Sequence, residues 1–312
     1  MWARIIEFII AIWLISSSRL FYHPANPDFF WVSDLICGAA ITVFALFSLK
    51  GSLQKLHLCS IGIALYLVVL GFSSSAFPPP ALFQNYLILG LLLLMFALVP
   101  SSPSLPPAVF KESYLKVSAY PSRWSQRIHL SCYSALATAI AVYMGLYQWG
   151  IVEEVWDPIF REGTDRVLNS DVSMILLRYI RMPDAILGAI TYFGDIIFAF
   201  AGSSRRWQDR PWLVLLFGLY VIPPALVSIL LVVIQGTVLN TWCFLCLITA
   251  CISVFLILLA FSEVKISICY LTAVWKKRRD RRLLWNTLWG KPSEAAYEVA
   301  RHMKGTQKAR YR

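Results

Sequence analysis

Charge is what this chain lacks. Of its 312 residues only 14% are charged, while 58% are hydrophobic and the mean hydropathy is +0.65. A soluble domain carries about 25% charged residues, so too few are present here to cover a water-facing surface. No glycine-rich phosphate loop is present, which removes the common nucleotide-dependent enzymes. A single CxxC occurs, and the four histidines (His23, His57, His129, His302) are not arranged near it. A structural zinc site needs two further ligands of suitable spacing, so no metal site is expected. The long polar stretch Gly150–Asp184 contains no cysteine.

What the chain does have is apolar runs. Eight can be read, at roughly Trp2–Ser17, Ser33–Leu49, His57–Phe72, Tyr86–Val99, Ile128–Trp149, Ala185–Ala201, Trp212–Ile234 and Thr241–Phe261. A straight membrane span needs about 20 residues. The expected fold is therefore all-α, a polytopic membrane protein of about eight transmembrane helices. The first run is no cleaved leader, since Glu7 interrupts it and no small-residue cleavage site follows.

Lys and Arg set the expected orientation. If the first run starts in the cytosol, 23 of the 28 Lys and Arg lie inside, including Arg127, Arg205, Arg206, Arg210 and the whole stretch from Lys265. The positive-inside rule favours that arrangement, with the C-terminus cytosolic and Gly150–Asp184 outside. The net charge of +11 is thereby explained by topology, and nucleic acid is not an expected partner. The cluster Lys276–Arg282, after Trp275, reads as an anchor for anionic membrane lipids.

Composition divides the chain. Residues 1–100 hold four short spans with few polar groups, and 101–125 form a linker rich in Pro and Ser. Four further spans follow, and 262–312 form a basic juxtamembrane segment and tail.

Cysteine carries the sharpest signal. Cys37, Cys59, Cys132, Cys251 and Cys269 are scattered singly through apolar stretches, where a free cysteine behaves as a small hydrophobe. Cys243 and Cys246 instead form Trp-Cys-Phe-Leu-Cys at the start of the eighth run. A helix N-terminus favours a thiolate, and a spacing of three puts both sulfurs on one face, close enough to bridge. In the preceding loop, Val172, Ile175, Leu176, Tyr179 and Ile180 repeat at helical spacing behind a Ser170 or Asp171 N-cap. That pattern predicts a short amphipathic helix, ending before Pro183, able to lid an apolar pocket. Asp184 opens the sixth span, and Asp195 lies eleven residues deeper on the same face. An ionisable group within a span is a functional candidate.

Residues Gln126–Phe261 resemble the vitamin K epoxide reductase family, through Val155–Phe160 (VWDPIF), Gly163–Ser173 (GTDRVLNSDVS), Pro183–Tyr192 (PDAILGAITY) and Trp242–Cys246 (WCFLC). The first hundred residues resemble SPW-repeat membrane proteins in Trp31–Gly38 and Phe83–Pro100, without the Ser-Pro-Trp signature. The first resemblance implies a C-terminal four-helix bundle that binds a quinone (menaquinone, ubiquinone or similar) and passes it electrons from thiols through the CxxC. It casts Cys246 as the quinone-facing thiolate, Cys243 as the exchange partner and Asp184 as a hydrogen-bonding group for a quinone carbonyl. Ile175, Leu176 and Tyr179 of the lid, with Asp195, complete the expected quinone site. The loop cysteine pair usual in the family is missing, and Ala250 stands where some relatives carry an aromatic residue. The electron donor is then expected to be a separate thioredoxin-like protein on the outer side. The competing reading is a non-catalytic membrane scaffold with a vestigial CxxC.

Overall fold

The computed structural model describes residues 2–21, 27–73, 81–100, 124–291 and 293–310; positions 101–123 of the expected linker lie outside the described residues. The helices are α1 (Trp2–Leu20), α2 (Pro27–Phe47), α3 (Ser60–Phe72), α4 (Ala81–Leu98), α5 (Trp124–Gln148), α6 (Gly163–Leu168) and α7 (Asp171–Ile180). They continue as α8 (Asp184–Phe200), α9 (Arg206–Asp209), α10 (Pro211–Ile234), α11 (Phe244–Arg278), α12 (Arg281–Leu288) and α13 (Glu294–Arg310). There is no strand among the described residues. The chain is an all-α, multi-pass membrane protein. Five helices (α2, α4, α5, α10 and α11) are long and apolar enough to cross a bilayer. Of the other runs, α3 has 13 residues and α8 has 17, while α1 carries Arg4, Glu7 and Arg19.

Local chemistry sets the helix ends around the CxxC. Pro211 opens α10, where its missing N–H costs nothing. The helix runs through Pro223 and Pro224 into a π-turn at Gln235–Leu239, and Asn240 in the left-handed region (φ 49°) ends it. Three residues later the backbone is extended at Cys243, the N-cap of α11. The expected lid helix is present as α7. Ser170 is its N-cap by backbone conformation, and Arg181 (φ 64°) turns the chain into Pro183 and α8.

Helices α5, α8, α10 and α11 pack in a closed ring, α5 on α8, α8 on α10, α10 on α11 and α11 on α5. The first four helices pair as α1 with α2 and α3 with α4, and one apolar core runs through both halves. Polar contacts join them: Trp149 Nε1 donates to Gln84 Oε1 (2.6 Å), and Tyr220 Oη to Met95 Sδ (3.5 Å).

Buried arginines bind helix C-termini, whose last carbonyls have no intrahelical partner. At the end of α8, Arg206 donates to the carbonyls of Phe198 and Ala201 and pairs with Glu263 of α11 (2.6 Å). Arg127 donates to the carbonyls of Gly202 and Ser203 at 3.0 and 2.6 Å. Arg4 does the same for α4, reaching Phe96 and Val99 oxygens at 2.5 and 2.9 Å while paired with Glu7. Arg127 and Arg206, read from the sequence only as orientation charges, thus lie inside the protein.

The helix of the last apolar run does not stop at Phe261. Helix α11 continues for 35 residues, about 52 Å of rise against a hydrocarbon core of about 30 Å. Glu263, two residues past Phe261, pairs with Arg206 within the bundle. Beyond it Ile266, Tyr270 and Val274 pack with Trp207, Val214 and, from α13, Ala296, Val299 and Ala300. Much of the basic segment is therefore folded onto the bundle end opposite the CxxC.

Candidate redox site at the head of helix 11

Cys243 and Cys246 form a disulfide, with Cα atoms 5.2 Å apart. The N-cap position makes the link local: the Cys246 N–H donates to Cys243 Sγ (3.1 Å), and the Cys243 N–H donates to Gln235 Oε1 (3.1 Å). Gln235 sits in the π-turn and is buried, so the end of α10 holds the start of α11. The other five cysteines are unpaired.

Cys243 is fully buried, at 0% exposure, and the residues on either side of it, Trp242 and Phe244, meet the loop that precedes α6. Asp157 organises that loop. Its Oδ1 accepts the N–H groups of Ile159 (3.1 Å) and Phe160 (2.8 Å), and its Oδ2 accepts the Thr164 N–H (3.0 Å) and hydroxyl (2.7 Å). Thr164 Oγ1 in turn accepts the N–H of Phe244 (3.1 Å), the residue after Cys243. Gly163 lies so close to the Trp242 carbonyl that a Cβ could not fit without displacing backbone. The Trp156 ring meets the Phe244 ring edge to face at 5.5 Å. Burial alone would raise the Asp157 pKa, but its hydrogen bonds from Thr164, Phe160 and Ile159 outweigh that and hold it below the ordinary carboxylate range.

On the other side of the disulfide lies a cavity of about 540 Å³ among α5, α7, α8, α10 and α11. Cys246 lines it and Cys243 does not; Met144 is beside Cys246, with the sulfurs 3.8 Å apart. The wall is mostly aliphatic, with Pro223, Pro224 and Leu231 from α10 and Leu256 from α11. Its polar groups come at two levels. Near the loop, Asp184 Oδ1 accepts from Gln148 Nε2 (2.5 Å), Ser173 Oγ (2.9 Å) and the Ala185 N–H (2.9 Å). Deeper are Asp195 and Tyr192, the latter hydrogen-bonded to Ser253 at 2.8 Å.

The structure thus brings Cys246, Asp184 and Asp195 to one cavity. It does not bring Ile175 or Tyr179 there. They are 51% and 75% exposed, on the far side of α7, and Val172, Ser173 and Ile180 face the cavity instead. The side chain of Leu176 lies outside the described residues. Sequence reasoning missed Gln148, Gln235, Asp157 and Thr164. The two glutamines carried a usable signal, as lone carboxamides at the ends of apolar runs. Asp157 and Thr164 stood in the two loop motifs, but their pairing had no sequence signal, because loop hydrogen bonds have no period. Among the described residues no cluster of His, Cys, Asp and Glu could hold a metal ion.

Residues 128–261 match the model of the vitamin K epoxide reductase family, the stretch over which the sequence motifs ran. No curated protein and no solved structure matches the chain. The matched stretch is under half of the chain and contains the CxxC.

Proposed function

We propose that this chain is a membrane thiol–disulfide oxidoreductase that couples oxidation of an external dithiol to reduction of a quinone through Cys243 and Cys246. The observation that carries this reading is the asymmetry of the pair: a disulfide at a helix N-terminus with only Cys246 open to a large apolar cavity. Residues 128–261 as a redox-family segment support it, and the aliphatic wall suits a lipophilic acceptor.

In this reading a donor thiolate attacks Cys243 Sγ, and Cys246 leaves as a thiolate. The donor's second thiolate then attacks its own sulfur in the mixed disulfide and releases Cys243. Cys246 adds to the quinone, and Cys243 attacks Cys246 Sγ. The C–S bond breaks, its electron pair passes to the ring, and two protons, matching those lost by the donor thiols, complete the quinol. The net change is dithiol plus quinone to disulfide plus quinol. The Cys246 N–H and the partial positive charge of α11 stabilise a Cys243 thiolate during the last step. Asp184, fixed by Gln148 and Ser173, lies at the loop-side level of the cavity, beside the place of the quinone head. Charge distribution favours the CxxC on the extracytoplasmic side of the cell membrane and the C-terminus in the cytosol. With no loop cysteines, a thioredoxin-like donor must reach Cys243 directly.

The test is quinol formation by purified protein given a short-tailed quinone and a small dithiol. Activity lost on changing either Cys243 or Cys246 to Ser supports the reading. Absence of both turnover and quinone binding in the native protein favours a scaffold.

A further inference from the structure

The deep level of the cavity holds a polar group with nothing to bond. Asp195 is 4% exposed, lines the cavity, and its Oδ1 has no hydrogen-bond partner. Two tyrosine hydroxyls of the same bundle are committed elsewhere: Tyr192 to Ser253, and Tyr220 to the carbonyl of Ile190. Asp195 lies eleven residues beyond Asp184 on α8, about 16 Å further along the helix axis. A quinone ring held beside Cys246 and Asp184 therefore places its tail, not its ring, at Asp195. A plain hydrocarbon tail there would exclude water and leave the carboxyl oxygen unsatisfied, which is costly at membrane depth.

We propose that Asp195 is a specificity-determining residue that selects quinones whose tail carries a hydrogen-bonding oxygen, such as a hydroxyl, at the depth of the third turn of α8. The inference rests on the quinone reading above and adds the class of tail. A hydroxyl both donates and accepts, so it satisfies Asp195 in either protonation state. Ser228 and Thr191 line the same cavity and keep its deep part from being wholly aliphatic.

The experiment compares quinones with one ring and saturated tails of one length, either unsubstituted or bearing a hydroxyl at successive positions. Binding is read from quenching of tryptophan fluorescence in the full-length protein. One hydroxyl position is expected to bind about three- to tenfold more tightly than the unsubstituted tail. Asp195→Asn, which keeps hydrogen-bonding capacity, retains that preference, and Asp195→Leu reverses it in favour of the plain tail. The native series and the Asn variant carry the test if the Leu variant does not fold. No favoured position in the native protein, or a preference that survives Asp195→Leu, overturns the proposal. If plain-tailed quinones bind and turn over, only the tail selection has failed. If no quinone binds at all, the redox reading fails and takes this inference with it.

Discussion

Cys243 Sγ accepts the backbone N–H of Cys246 at 3.1 Å, yet of the two only Cys246 lines the cavity. One turn of helix gives bonded sulfurs different surroundings: closed burial for Cys243, an aliphatic chamber for Cys246. The roles proposed for the two cysteines follow from that separation.

Their substitution should therefore give different trapped species. Cys243→Ser is expected to stop turnover and leave Cys246 able to hold a quinone adduct, visible as a new absorbance band. Cys246→Ser should stop turnover and accumulate a mixed disulfide with the donor through Cys243, found by mass spectrometry. A donor trapped on Cys246 would reverse the assignment.

The loop over Cys243 should open when its Asp157 bonds are removed. Asp157→Asn is expected to speed thiol exchange by a small dithiol at Cys243, followed by alkylation rates, while quinone affinity changes little. Acid should act in the same direction. The folded-state pKa of Asp157 is lowered, so its stabilisation is present above the ordinary Asp value of about 3.9. It is lost as pH falls through the lower folded value. A Cys243 alkylation rate unchanged in the Asn variant would mean that another contact seals the site.

The two faces of α7 should separate cleanly. Val172→Asp and Ile180→Asp put charge against the cavity and are expected to weaken quinone binding at least tenfold, about 1.4 kcal/mol. Ile175→Ser and Tyr179→Ser alter exposed side chains and are expected to leave it within twofold, about 0.4 kcal/mol. The measurement is a quinone titration of each variant. Weakening by the second pair as large as by the first would place the quinone under the outer face of the helix.

These outcomes also show what the sequence could and could not say. The CxxC was legible because thiol chemistry needs two sulfurs at a fixed spacing, and the place of Asp195 at the cavity because an ionisable group within a span is rare. The helix Asp171–Ile180 was legible from its period, but its rotation was not. Ile175 and Val172 are equally apolar, and only packing against α8 decides which turns inward. The continuation of α11 past Phe261 and through Glu263 was not legible. A buried charge can be told from an exposed one only when its partner is known, and Arg206 lies 57 residues away in the chain. The seal over Cys243 depends on the room that Gly163 leaves at Trp242, a contact with no sequence period at all.

Arg206→Met should destabilise the protein by about 3–5 kcal/mol, because Glu263 loses its buried ion pair. Arg206→Met combined with Glu263→Leu should recover part of that loss. Thermal unfolding in detergent, followed by circular dichroism, is the measurement. Equal stability of the native protein and the Arg206 variant would show that the pair contributes nothing.

Reporter fusions at Gly163 and after Arg312 are expected to be active on opposite sides of the membrane. Activity of both on one side would remove the proposed orientation and the external donor with it.

Arg127 and Arg206 are thereby used at two moments in the life of the molecule. In the proposed orientation, both count among the cytosolic cations while the chain is threaded into the bilayer. Once folded, both have disappeared beneath the surface as ties on the end of α8. The charge that the insertion machinery meets is therefore larger than the charge that the finished protein shows to lipid. Neutralising either residue alters biogenesis and architecture together, so an inverted protein and a collapsed one can arise from the same substitution.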